Sequence, residues 1–488
     1  MILLRRISLR MTLPELWTFL AIALPVLAAL LAPLPTVDLA YQLRAGAQIL
    51  AGGGIPTVDT WTFTAYGRPW LDQQWGAQVL LAAAWSTTGW TGLVLLRAAL
   101  VGAIAWLVLA TIRRRASGLQ ARTSALLALG AFVVMAPALA LRPQLFGMAL
   151  FAASLALLSF RRERRAGLWA LPVVAAAWAN LHGSIVLAPV LVGFALLEDL
   201  ADRSPGSRRT LVVLLVTAAA TLLTPFGIGA WRYATALAAN PDVTRRVSEW
   251  QPPALTDVPG LLFWGSVVFV AVAGAVERRR RRAAVPWPAL LALLAFAVLG
   301  ANTGRGIAWW SMVAVMTVAP VFANGRSSEV SPPPRPSRIN SAVAVALVLA
   351  GIALLPAWRP LDPGLGAPSG TLSYAPSGIT AALREVATPA DRVWNPQTWG
   401  SWLEFAVPAP AYALDSRIEV FPPQVWVNAE VIDAAGPGWD ALLDAAGVTI
   451  VATSGPADAP LANALVASPG WTLYYADVDG AVWRRVTP

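Results

Sequence analysis

The chain has 488 residues, 57% of them hydrophobic and 13% charged; a soluble chain carries about 25% charged residues, so a soluble enzyme is excluded. With no Cys and a single His, disulfides, thiolate metal sites, a Cys nucleophile and multi-histidine metal centres are excluded as well. The net charge is +10 and every basic residue is Arg, but thirty Arg stand against thirteen acids up to residue 357 and six against thirteen beyond it. The basic part is mostly hydrophobic, so nucleic acid is not the expected partner.

Windows of roughly 20 apolar residues, the length needed to cross a bilayer core, predict about eleven spans. They fall near 15–34, 90–111, 123–141, 145–160, 168–181, 183–200, 210–227, 259–276, 286–301, 306–323 and 340–357. The first run follows a basic stretch but lacks a clear small-residue cleavage site, so it is expected to stay as an anchor. Arg clusters at 5–10, 113–122, 161–165, 203–209, 278–282 and 326–338 hold 22 of the 36 Arg and fall in alternate connections. Positive residues are retained on the cytoplasmic side, which predicts an inside N-terminus and an outside tail. The expected fold class is an α-helical polytopic membrane protein of about 11 transmembrane helices with a small C-terminal extracytoplasmic α/β domain. The expected division is 1–357, including a long first outer loop at 35–89, and 358–488. The Pro-rich segment Ser327–Ser337 reads as a cytoplasmic linker, and no internal repeat is evident.

The first outer loop is rich in chemistry-bearing residues: Asp38, Tyr41, Arg44, Asp59, Trp61, Arg68, Trp70, Asp72 and Trp75. Ala40–Leu50 has the spacing of a short amphipathic helix at the membrane interface, Gly52-Gly53-Gly54 marks a turn, and Gln73–Ala84 predicts a second interfacial helix. The other outer connections each carry polar residues at helix ends. These are Arg142 and Gln144, Asn180 and His182, Arg245, Arg246, Glu249 and Trp250, then Asn302 and Arg305. Charges at membrane depth face a cavity or a partner. Tyr41 and the many Trp also fit an interfacial aromatic belt. His182 alone fits a satisfied polar contact better than a metal ligand, because zinc needs several N or S donors.

In the tail, Ser377–Val386 predicts a helix capped by Ser377, and Trp439–Ala446 a second helix. Asp391–Trp394, Ala411–Leu414 and Val448–Ala452 predict strands. Trp471–Ala476 and Ala481–Val486 predict a hairpin around Asp479-Gly480. Asp415-Ser416-Arg417 follows a strand, a position that suits either a ligand contact or an Asp–Arg pair closing a loop.

Several stretches carry a resemblance. Asp38-Leu39-Ala40-Tyr41-Gln42-Leu43-Arg44, Ile55 to Thr64, Gly67-Arg68-Pro69-Trp70, Leu141-Arg142-Pro143-Gln144, Trp178 to Gly183, Glu249-Trp250-Gln251, Trp399 to Leu403 and Leu414 to Val420 form one pattern. It resembles a group of bacterial membrane proteins similar to the GT-C membrane glycosyltransferases, the relatives of protein O-mannosyltransferases and aminoarabinose transferases. The resemblance implies transfer of a sugar from a polyprenyl-phosphate-linked donor to an acceptor glycan, lipid or protein at the outer face of the bacterial plasma membrane. It implies Asp38 as catalytic base with Asp59 second. Arg142, His182, Glu249, Arg305, Tyr41, Trp75 and Asp72 are implied as substrate-binding residues. Many GT-C enzymes place adjacent acids in the first outer loop, whereas here Asp38 is followed by Leu39 and Ala40; a divalent cation is the one cofactor the resemblance leaves open. The rival readings are a transporter or flippase of a lipid-linked envelope precursor, and a non-catalytic envelope scaffold.

Overall fold

The computed structural model describes residues 10–281, 286–323, 334–455 and 457–486. Arg5 and Arg6, Arg282, Arg326 and most of the Ser327–Ser337 linker lie outside the described residues. The chain divides into two compact units. One is drawn from the chain up to Ala32, Val94–Ala234 and Thr244–Leu355; the other from Pro33–Leu93, Thr235–Val243 and Pro356 onward.

The first unit is helical. It contains α1 (Leu13–Leu31), followed after the short helix α2 (Leu39–Gln48) of the second unit by the distal part of α3 (Trp75–Arg115). Next come α4 (Ala121–Met135), α5 (Pro143–Ser159), α6 (Ala170–Leu181), α7 (Leu187–Ala201) and α8 (Ser207–Ala220). Two short helices, α9 (Ile228–Ala239) and α10 (Pro241–Arg246), whose stretch Thr235–Val243 is counted with the second unit, lead to α11 (Val258–Arg281), α12 (Trp287–Asn302), α13 (Gly306–Ala323) and α14 (Arg338–Ala353). Each of the eleven predicted windows contains a helix, but six helices among the described residues are long and apolar enough by length and composition to cross a membrane. Three further apolar helices, α5, α12 and α14, are shorter. The chain is a multi-pass membrane protein. Its large apolar side chains remain exposed on α11 (Val268, Val272), α12 (Leu291, Leu294) and α14 (Val345, Leu349), as expected where the solvent is lipid. Helix α13 is the hub: 72% of its apolar window is buried, and it packs on α4, α5, α11 and α12.

At the Arg-rich end of this unit the clusters are also structural. Arg161, 7% exposed, donates to Glu198 Oε2 (2.8 Å) and Asp199 Oδ1 (3.1 Å), and Thr210 Oγ1 donates to Asp199 Oδ2 (2.7 Å). The α5–α6 connection is thereby fastened to the end of α7 and the start of α8.

The second unit joins the first loop to the tail. Helix α2 matches the predicted interfacial helix and packs on α16 (Gln397–Ala406), after α15 (Ser377–Val386). Within the loop Asp59 N donates to Arg68 O (2.8 Å) and Trp70 N to Thr57 O (2.9 Å), closing a hairpin-like turn. After the two-stranded β1 (Leu361–Asp362) and β2 (Ala367–Pro368), the tail sheet runs β4-β3-β5-β7-β6. Its strands are β3 (Arg392–Trp394), β4 (Ala411–Tyr412), β5 (Ile450–Ser454), β6 (Trp471–Ala476) and β7 (Gly480–Arg485). The β3–β4 and β3–β5 pairs are parallel; β5–β7 and β6–β7 are antiparallel. Thr62 bridges Tyr412 in parallel and Phe63 N donates to Tyr412 O (3.0 Å), so the loop extends the β4 edge of the sheet. Helices α17 (Pro423–Asp433), α18 (Trp439–Ala445) and α19 (Ala459–Ala467) complete the unit.

One local expectation holds and one needs correction. The second loop helix expected at Gln73–Ala84 is present as the first part of α3, which starts at Trp75 and breaks at Gly89, whose φ of +61° and ψ of −153° are open to glycine, before the chain resumes as the next span. Ser377 does not cap α15; Pro376 holds that position and the Ser377 hydroxyl donates to Asp362 instead.

Candidate functional site

In the helical unit, the α4–α5, α8–α11 and α12–α13 connections border one cavity of about 280 Å³. Its polar lining includes Arg142, Gln144, Glu249, Gln251, Asp257 and Arg305. Arg142 is the extended residue before α5, where Pro143 at the first helical position pre-sets the turn. Glu249 sits in a 3-10 turn, Ser248–Trp250. Backbone bonds from Gly304 N to Gln251 O (3.0 Å) and from Arg305 N to Glu249 O (3.1 Å) tie this turn to the start of α13.

The side chains complete the connection. Arg142 Nη2 donates to Glu249 Oε1 (2.5 Å) and Arg305 Nε to Glu249 Oε2 (3.2 Å), so one carboxylate bridges two guanidiniums. Arg305 also lies over the Trp250 ring, 4.8 Å from its centroid. Burial works to raise the Glu249 carboxyl, but the two guanidiniums prevail and hold it below its usual value. Arg142 Nε and Gln144 Oε1 are buried without a hydrogen-bond partner, a costly state that a ligand relieves. Helices α5, α11 and α13 all begin at this cavity, so the positive ends of three helix dipoles face it.

An apolar groove of about 480 Å³ adjoins it between α4, α11 and α13. Leu126, Val133, Leu262, Phe269 and Val315 line it, and Val134 borders both spaces. Together they offer an apolar surface that ends at a pocket holding the guanidiniums of Arg142 and Arg305 and the carboxylates of Glu249 and Asp257.

His182 belongs to the same unit and has Arg142 and Arg305 as electrostatic neighbours. Trp178 Nε1 donates to Ser184 Oγ (3.1 Å), Ser184 Oγ lies 2.8 Å from His182 Nδ1, and Ser184 N donates to Nδ1 (3.2 Å). Nδ1 is thus the acceptor and the ring proton resides on Nε2. The structure brings Arg142, Glu249 and Arg305 together, with His182 nearby.

The remaining sequence candidates sit in the second unit. Asp59 is fully buried; it accepts from Thr62 Oγ1 (2.6 Å), Thr62 N (3.1 Å), Trp61 N (3.4 Å) and Arg417 Nη2 (2.6 Å). Arg417, 1% exposed, also binds Asp415 through Nε (2.8 Å) and packs against the Trp61 and Trp70 rings, 4.4 and 4.5 Å from their centroids. Of the two readings of Asp415-Ser416-Arg417, the structure takes the ion pair. Arg44 stacks on Trp61 (4.7 Å) and faces Glu404 at 3.7 Å; burial, with Asp415 beside it, pushes the Glu404 carboxyl well up.

Asp38 is half-buried at the start of α2 and makes no side-chain cap. Its charge acts on Tyr41 and Tyr374. Tyr41 meets Trp70 edge-on at 6.2 Å, and burial, then Asp38, raise its hydroxyl pKa. Asp72 accepts from Gln78 Nε2 (2.7 Å) and is pushed up to about 7 by burial. Trp75, half-buried, opens α3. Among the described residues no three His, Cys, Asp or Glu side chains are grouped to hold a metal ion. Asp257 was not legible as a site residue, its only sequence signal being proximity to Glu249, and Gln251 was legible only as part of the Glu249-Trp250-Gln251 stretch.

By sequence the chain matches no family model and no curated protein. Its solved structural neighbours include the oligosaccharyltransferase of Archaeoglobus fulgidus tethered with an acceptor peptide containing the NVT sequon. There the TM-score is 0.59 at 12% identity, covering 97% of this chain and 74% of that one. The same enzyme, AglB, in complex with an inhibitory peptide and a dolichol-phosphate gives 0.57 at 13%, covering 96% and 74%. ArnT from Cupriavidus metallidurans bound to undecaprenyl phosphate gives 0.51 at 14%, covering 96% and 97%. The fold is GT-C-like. At these identities the likeness is one of fold, and it agrees with the resemblance carried by the sequence pattern.

Proposed function

We propose that this chain is a membrane glycosyltransferase that moves a sugar from a polyprenyl-phosphate-linked donor to an acceptor at the outer face of the bacterial plasma membrane. The observation that carries this reading is the apolar groove of α4, α11 and α13 running into the pocket of Arg142 and Arg305. A polyprenyl chain needs the first and its phosphate the second, because guanidinium forks match phosphate geometry. The structural neighbours solved with dolichol-phosphate and undecaprenyl phosphate support the same ligand class.

In this reading Arg142 and Arg305 hold the donor phosphate and neutralise the charge left on it as the glycosidic bond breaks. Asp38 takes the proton from the acceptor hydroxyl. It is preferred over Asp59 because it is the acid that the resemblance aligns with the base, whereas Asp59 is the buried partner of Arg417. The N-terminus lies in the cytoplasm and the tail outside, as the alternating Arg clusters require.

A general base contributes typically 10²–10⁴-fold. Asp38→Asn should therefore lower turnover at least a hundredfold while donor binding stays within a few-fold, and Arg142→Ala should weaken donor binding. Sugar transfer from a radiolabelled polyprenyl-phosphate donor, measured with purified protein in lipid discs, checks both. Normal transfer by Asp38→Asn places the base elsewhere; labelled lipid crossing proteoliposomes without transfer makes the protein a flippase.

A further inference from the structure

The cavity described above is already filled electrically by the protein. We infer that Glu249 is an internal stand-in for the ligand phosphate: its carboxylate bridges Arg142 and Arg305 and swings away when an organic phosphate takes its place. This rests on the reading of that pocket as a phosphate site, and adds how the pocket is kept stable and closed until donor arrives.

Four observations support it. First, the geometry is that of a bound anion: two guanidiniums converge on the two oxygens of one carboxylate, as they would on two oxygens of a phosphate. Second, the members differ in freedom. The Arg142 side chain is 10% exposed, that of Glu249 36%, so the carboxylate is the partner with room to leave. Third, Arg142 Nε–H is buried and makes no hydrogen bond while Glu249 holds the terminal nitrogen. A phosphate has an oxygen to spare for that donor; the carboxylate uses both of its oxygens on the pair. Fourth, the other nearby acid does not compete for the cations: Asp257 accepts from Gly260 N (2.6 Å) as the cap of α11.

The exchange is one for one in charge when the entering group is a phosphodiester, because one negative charge replaces another. Without Glu249, two guanidiniums would face each other in a pocket lined by three helix N-termini, a repulsion that would open it to water. The backbone bonds between 249–251 and 304–305 keep the turn in place while the side chain moves, so the stand-in returns when product leaves.

The test measures farnesyl phosphate and, separately, inorganic phosphate binding to the full chain in lipid discs. Glu249→Gln removes the competing charge, so farnesyl phosphate should bind about tenfold more tightly, equivalent to about 1.4 kcal/mol. The ligand-free variant should melt at a lower temperature than the parent and gain more from saturating farnesyl phosphate. Glu249→Asp, whose shorter arm reaches one guanidinium at a time, should tighten binding by a smaller factor and serves if the Gln variant does not fold. Unchanged or weaker binding in both variants overturns the inference and makes Glu249 a positioning residue. Arg142→Gln and Arg305→Gln separate this from failure of the underlying reading. If they do not weaken farnesyl phosphate binding at least tenfold, the pocket is not the phosphate site. If inorganic phosphate alone shows the full Glu249 effect and farnesyl phosphate binds no better, the anion is free phosphate, not a lipid headgroup.

Discussion

Replacing Arg417 by Met would leave the buried carboxylates of Asp59 and Asp415 without their shared cation. Breaking a buried ion pair from one side costs about 3–5 kcal/mol, so Arg417→Met should lower the melting temperature of the purified protein markedly. Arg417→Lys should recover only part of the loss, because an ammonium neither forks to two carboxylates nor stacks flat on indole. Calorimetry of the three proteins checks the order. Asp72 makes a pH prediction. Its carboxyl, held up to about 7 by burial, keeps a proton in the folded chain where the unfolded chain, at about 3.9, has lost it. Stability should therefore fall as pH rises from about 4 to 7, and Asp72→Asn should flatten that stretch of a melting-temperature profile. An unchanged slope would assign the dependence to other acids.

The elements show where local sequence is decisive and where it is not. Leu39–Gln48 and Ser377–Val386 were readable because amphipathic spacing survives in any context. Helix α16 was not: its Gly400 and two Trp read as a motif rather than a helix. Its packing explains the glycine. A Cβ on Gly400 would fall 1.7 Å from Leu414 O, at the segment where Gln397 Nε2 donates to Asp415 O (3.0 Å) and Ser401 and Ser416 share a hydrogen bond (2.7 Å). Gly400→Ala should cost about 1–3 kcal/mol by overpacking and disturb the Arg417 cluster that follows. Gly265→Ala on α11, where nothing lies within 4 Å of the added carbon, should leave the melting temperature unchanged or higher. Equal losses at both positions would mean that glycine content, not the close approach, is responsible.

For the whole molecule the testable quantity is orientation. An enzyme reporter active only in the cytoplasm should be silent when fused after Pro488 and active when inserted in the 327–337 linker. Activity after Pro488 would reverse the topology and move every site proposed for the outer face. The Arg clusters that motivate this have a second role, since Arg161 is enclosed by Glu198 and Asp199. Arg97 is another case: it lies inside an apolar window that gave no reason to single it out, yet its guanidinium caps the Ala29 and Ala32 carbonyls at the end of α1.

By itself the sequence determined that the chain is a multi-pass membrane protein with a mixed α/β tail, because apolar run length, strand alternation and the Asp-Gly hairpin are local properties. It also placed Arg142, Glu249 and Arg305 at helix ends. Only the tertiary structure decided that these three meet, since their approach depends on how α5, α11 and α13 pack and not on any spacing along the chain. It likewise decided that the first loop belongs with the tail. Asp59 and Arg417 are 358 positions apart, and a pairing over that distance leaves no periodicity to read.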